Sequence, residues 1–203
     1  MTPPLQQNPP HIRYPGCEPA AINQEIMAQL GSGSYAKWIS VIRKEFAIGY
    51  DQITQTLEAI DTFGLVDDKY FPDELWKPYT RLKDLPKEVT ERAFECSVEY
   101  EQIKYNQLSK FLQFSHVVSV IPTFKAFHEV DADGYVKPKY ELPKSRHCMM
   151  IEKKSTRFPP NQYDFINSYG VSWGSGGHCF IPQAYINKWR LEELFYTFNI
   201  EKL

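Results

Sequence analysis

The stretch from Trp38 to Val66 restricts the fold of this chain more than any other. Apolar residues recur there at helical spacing in two short runs: Trp38, Ile39, Ile42 and Phe46, then Ile53, Leu57, Ile60 and Phe63. Between the runs stands Ile48-Gly49-Tyr50, short enough for a turn only. Gly49 is expected to take a positive φ that a Cβ opposes. Gly64 follows the second run as a C-cap glycine. Short amphipathic helices gain most of their stability from tertiary packing, so a third element must close over these two. Ile22, Ile26, Met27 and Leu30 supply it, in a helix that opens at Ala20 behind Glu18-Pro19 and breaks at Gly31-Ser32-Gly33-Ser34. Leu65-Val66 then reads as the first strand of a wing. The spacing predicts a winged helix-turn-helix-like unit over residues 20–70.

Within that unit, Ile39 to Asp68 resembles the winged-helix DNA-orienting domain of FtsK-type bacterial DNA translocases. Ile39-Ser40, Phe46, Ile48-Gly49-Tyr50 and the helix ending at Gly64 carry the resemblance. It concerns that module alone and implies a three-helix core whose third helix lies across the major groove. The family's recognition helix is rich in arginine. Here the third helix carries Asp51, Glu58 and Asp61 and neither Lys nor Arg. Arg43, Lys44, Gln52, Thr54 and Gln55 are the residues expected to contact DNA from the helices, glutamine pairing well with adenine. Phosphate anchors must come from elsewhere, because such contacts supply most non-specific affinity. The stretch 137–157 is basic, and Lys144, Arg146, Lys153, Lys154 and Arg157 are the candidates, with Tyr135, Tyr140 and Phe158 interleaved for base stacking.

Composition narrows the remaining choices. With 42% hydrophobic and 15% aromatic residues, 203 residues can build a core without a disulfide or metal staple. A net charge of −2 argues against a chain that is basic throughout. Residues 1–19 form a proline-rich arm lacking the apolar run of a signal peptide, with Ile12 and Tyr14 as points that dock on the body. No uninterrupted apolar run is long enough to span a membrane. Cys17, Cys96, Cys148 and Cys179 form no C-x-x-C pair, which suits reduced thiols in the cytoplasm.

Residues 71–86 read as a connector. From Lys87 to about Ser115 the apolar residues keep a helical period, predicting one long central helix. Asp131-Ala132-Asp133-Gly134 then sits as a hairpin turn between Thr123–Val130 and Tyr135–Leu142. His147–Glu152 and Val171–Ile181 are further strands, and Gln183–Phe198 is a closing helix. The expected class is α+β: a winged helix-turn-helix-like unit, a long central helix, and a C-terminal antiparallel sheet with a closing helix over 87–203.

Two identical dipeptides, His147-Cys148 and His178-Cys179, carry the residue types of a metal or thiol site. Neighbouring residues of a strand face opposite ways, so four ligands would not converge, and neither a metal nor a cofactor is expected. Cys179 behind Gly174-Ser175-Gly176-Gly177 could act as a nucleophile paired with His147, with Cys148 as the other choice. Such nucleophiles usually stand at a helix N-terminus, and Phe180-Ile181-Pro182 reads as strand. The leading expectation is therefore a non-enzymatic, winged-helix protein that binds DNA or a nucleoprotein. An acidic protein-interaction module comes second, and a cysteine-dependent hydrolase third.

Overall fold

The computed structural model describes residues 16–31, 33–49, 52–71, 75, 80–137, 145–155, 161–189 and 194–203. They fall into two compact units, one running to Glu101 and joined by Phe198–Leu203, the other comprising Gln102–Thr197.

The first unit opens with α1 (Cys17–Leu30), α2 (Ala36–Glu45) and α3 (Ile53–Phe63). Cys17 is the first helical residue of α1, so Pro19 falls in the first turn, where its missing N–H leaves no bond unmade. α2 packs against both α1 and α3. Ile22, Ile26, Trp38, Ile39, Ile42, Ile53, Leu57 and Ile60 are all buried. The Trp38 indole N–H donates to the Gly64 carbonyl at 2.9 Å, tying α2 to the end of α3. Gly64 has φ 66°, and a Cβ there would meet the Phe94 carbonyl oxygen at 2.1 Å, so only glycine fits this approach. A short helix α4 (Lys87–Thr90) and the strand β1 (Cys96–Ile103) follow.

The second unit carries β2 (Val117–Thr123), β3 (Ser145–Ser155), β4 (Gln162–Ile166) and β5 (His178–Pro182), with short helices α5 (Leu108–Phe111), α6 (Lys125–His128) and α7 (Gln183–Trp189). The last strand, β6 (Leu194–Lys202), contributes to both units. Strand order is β1-β6-β2-β3-β4-β5. The pairings β6–β2, β2–β3, β3–β4 and β4–β5 are antiparallel. Register places Val117 opposite Ile151, Ile151 opposite Phe165 and Phe165 opposite Cys179. These residues therefore share one sheet face, and they join Phe124, Phe127 and Ile186 in the core of the unit. A one-residue bulge between Ile151 and Lys153 interrupts the β3–β4 ladder at Glu152.

Several expectations are corrected. The helical unit is not a winged helix: after Gly64, Leu65 makes a single bridge to Phe94, and no two-stranded wing follows among the described residues. Ala47, not Gly49, takes the positive φ of the α2–α3 turn, at 51°. The long central helix is absent. Its span holds α4, β1 and α5 instead, because Cys96-Ser97-Val98-Glu99-Tyr100-Glu101 alternates with the period of a strand. The closing helix stops at Trp189, and Phe195-Tyr196-Thr197-Phe198-Asn199-Ile200, aromatic and β-branched, is strand. The turn at Asp131–Gly134 is real, with the Gly134 N–H on the Asp131 carbonyl at 2.9 Å, but α6 precedes it rather than a hairpin strand. The hairpin's other strand, at 138–142, and the arm at 1–15 with Ile12 and Tyr14 lie outside the described residues. No described helix is long and apolar enough to cross a membrane.

Candidate functional site

The expected nucleic-acid contacts sit in varied surroundings. Arg43 is buried: its guanidinium pairs with Glu18, donates to Thr56 Oγ1 at 2.6 Å and to the Gly49 carbonyl at 2.8 Å. It serves the packing of α1 on α2 and is not presented to a phosphate. Lys44 and Thr54 are half-buried, and Gln55 is exposed on α3. The Gln52 side chain is engaged locally, accepting from the Gly49 N–H at 2.6 Å. Arg146 is half-buried on β3, and Lys153 pairs with Glu152 at 3.3 Å. Lys154 lies on β3, while Lys144 and Arg157 lie outside the described residues.

In the helical unit a thiol, Cys17, stands at a helix start. It is the first residue of α1, behind Gly16, whose φ of 136° turns the chain sharply into the helix. The unpaired N–H groups and the dipole of a helix N-terminus favour an anion there, which is where reactive thiols sit. Cys17 is partly exposed and in no disulfide. The next residue, Glu18, is a buried carboxylate in the same turn. Arg43 neutralises it, and Thr56 donates its hydroxyl to Oε1 at 3.0 Å. The predicted effect of Arg43→Ala is a loss of about 3–5 kcal/mol, because Glu18 is left buried and unpaired. Denaturant unfolding checks this, and a variant as stable as the parent would refute it.

In the sheet unit His147, on β3, pairs with Asn167, one residue past the end of β4. His147 Nε2 lies 2.7 Å from Asn167 Oδ1. The Ser168 backbone N–H donates to the same oxygen at 2.7 Å, which fixes that atom as the amide oxygen. Nε2 must therefore carry the proton, and neutral His147 keeps its lone pair on Nδ1, ready to act as a base. Phe127 (5.5 Å) and Tyr169 (5.0 Å) stand against the imidazole, and Trp173 packs on both of those rings. Burial pushes the His147 pKa down, and the Asn167 hydrogen bond opposes that in part.

The two dipeptides do not converge. Strand β4 separates β3 from β5, about 9–10 Å away across the sheet, and the register sets His178 in line with Met150, three residues along β3 from His147, so the dipeptides are offset along the strands as well. Cys179 is fully buried, and that burial pushes its thiol well above the ordinary range. A thiol in that state is inert. Cys148 is likewise a buried residue of a strand. Sequence reasoning overlooked Cys17 and Asn167. The rule that a nucleophile stands at a helix start would have found Cys17, had the helix been begun three residues earlier.

No protein-family model matches the chain, and no curated protein matches it. Solved structures do. Xylellain, a cysteine protease from Xylella fastidiosa, aligns at 16% identity and TM-score 0.65, over 98% of this chain and 87% of that one. The digestive procathepsin L 3 of the Tenebrio molitor larval midgut aligns at 11% identity and TM-score 0.66, over 94% and 65% of the two chains. A Carica candamarcensis cysteine protease in complex with E-64 aligns at 13% and 0.61, over 90% and 87%. At these identities the likeness is one of fold. The shared fold, that of cysteine proteases, overturns the winged-helix resemblance, and with it goes the ground on which the DNA or nucleoprotein partner and the non-enzymatic reading stood.

Proposed function

We propose that the chain is a cysteine-dependent hydrolase of peptide bonds, with Cys17 as nucleophile, His147 as general base and acid, and Asn167 as the residue that orients His147. The His147–Asn167 pair carries this reading. A buried imidazole held in one tautomer by a neutral amide has no evident structural need for that arrangement, and the arrangement frees Nδ1 for proton transfer. The fold shared with cysteine proteases and a thiol at a helix N-terminus support it.

The steps follow from those groups. In the first half the Cys17 thiol gives up its proton to the general base, and the thiolate attacks the scissile carbonyl carbon. The tetrahedral intermediate collapses as His147 returns the proton to the leaving amine. Water, deprotonated by His147, then attacks the thioester and releases the acid and the free thiol. The fixed proton on Nε2, held by Asn167, keeps Nδ1 facing the reaction through both halves. The Phe127, Tyr169 and Trp173 rings limit water around the imidazole, which strengthens the electrostatics of the transfer. Four cysteines, none of them in a disulfide, support a reading in which the chain works in a reducing compartment such as the cytoplasm.

The test is hydrolysis of casein and of fluorogenic peptides. Cys17→Ala is expected to abolish turnover while Cys148→Ala and Cys179→Ala retain it. Retained turnover in Cys17→Ala, or loss confined to Cys179→Ala, would overturn the assignment.

A further inference from the structure

We propose that Glu152, Asp164 and His178 form a binding site for a divalent transition-metal ion, zinc first among them. The three side chains come from three adjacent strands, β3, β4 and β5, so the donors stand on a rigid scaffold. One donor atom from each lies within 4.8 Å of the others. Zinc holds nitrogen and oxygen ligands at about 2.0–2.2 Å, which sets neighbouring donors about 3.4 Å apart in a tetrahedron. His178 Nδ1 and Asp164 Oδ1 are already 2.9 Å apart. Glu152 needs only to swing in. It stands at the β3 bulge, where it is released from the regular ladder, and its side chain is partly exposed.

The donor chemistry suits such an ion. One imidazole and two carboxylates carry a charge of −2 when the imidazole is neutral, matching a divalent cation. The mixture of nitrogen and oxygen favours zinc over magnesium or calcium. Among the described residues neither Asp164 Oδ2 nor His178 Nε2 makes a hydrogen bond, so both residues keep coordinating capacity. Lys153, 3.3 Å from Glu152, competes for that carboxylate, but its side chain is exposed and can turn outward. Three protein ligands leave a fourth position for water.

Alternation along β5 puts His178 on the face opposite Cys179, and hence opposite the face of Phe165, Ile151 and His147. The ion would therefore sit apart from His147 while pinning together the strands that carry it and lead to Asn167. The inference does not rest on the proteolytic reading.

Calorimetric titration of the full chain with zinc chloride tests it, in a Cys17→Ala background that removes the accessible thiol. One site is expected, unchanged in His147→Ala and weakened at least tenfold in Glu152→Gln, Asp164→Asn and His178→Ala. Far-UV circular dichroism reports folding of each variant. Should the Asp164 or His178 variant fail to fold, the partly exposed Glu152→Gln decides. No zinc binding in the parent, or equal binding in Glu152→Gln, would overturn the proposal.

Discussion

Two histidines, each followed by a cysteine, occupy opposite faces of one sheet and have opposite chemistry. His147 is buried on the core face and bonded to a neutral amide, and burial holds its pKa below the ordinary 6.5. His178 is partly exposed on the other face and bonded to a carboxylate, and that hydrogen bond raises its pKa despite burial. The dipeptides are the same, so the partner decides. Asn167 makes an imidazole that gives and takes a proton, whereas Asp164 makes one that holds its proton or exchanges it for a metal ion.

The largest expected break between the two is in turnover. His147→Ala should lower kcat about 10²–10⁴-fold, the usual range for losing a general base. His178→Ala should leave kcat within a few-fold. Equal losses in steady-state peptide hydrolysis would erase the functional distinction drawn here.

Exchanging the partners sharpens the comparison next. Asn167→Asp should raise the pKa of His147, because a carboxylate favours the imidazolium. Asp164→Asn should lower that of His178. NMR titration of the two imidazoles checks both signs, and an unmoved His178 in Asp164→Asn would show that the carboxylate is not the cause.

Stability against pH is the smallest effect and runs in opposite directions. For His147 the folded pKa lies below the unfolded one, so its contribution is complete above about pH 6.5 and is lost as pH falls through the folded value. For His178 the folded pKa lies above the unfolded one, so its contribution is complete below about 6.5 and is lost as pH rises through the folded value. Partial exposure limits the His178 share to about 1 kcal/mol or less. Melting temperature against pH should lose its alkaline-side decline in Asp164→Asn and keep its acid-side decline.

The sequence marked the three helices well, since Ile22 and Ile26, Trp38 and Ile42, and Ile53, Leu57 and Ile60 all recur at helical spacing and all are buried. It misled beyond Lys87. Apolar residues around Val98 and Phe198 satisfy a helical count and a strand count alike, and only pairing across the sheet chooses between them. Cys17 is hidden at the border of the proline-rich arm, because Pro19 reads as the residue before the helix although it lies inside the first turn. Asn167-Ser168-Tyr169-Gly170 reads as an ordinary turn, and nothing local reveals that its amide meets a histidine twenty residues earlier. The Glu152, Asp164 and His178 cluster depends on strand order and a bulge, neither of which a single chain of letters displays.

Ala47 sits at φ 51° and is exposed, while the glycine of the same turn stands two positions later at a φ that any residue accepts. The chain thus tolerates a conformation that disfavours a side chain by about 1–2 kcal/mol, part of which glycine would refund through an easier backbone. Engineers seeking a hardier form of this molecule have a starting point in Ala47→Gly, with a gain of about 0.5–1 kcal/mol after the added freedom of the unfolded chain is subtracted.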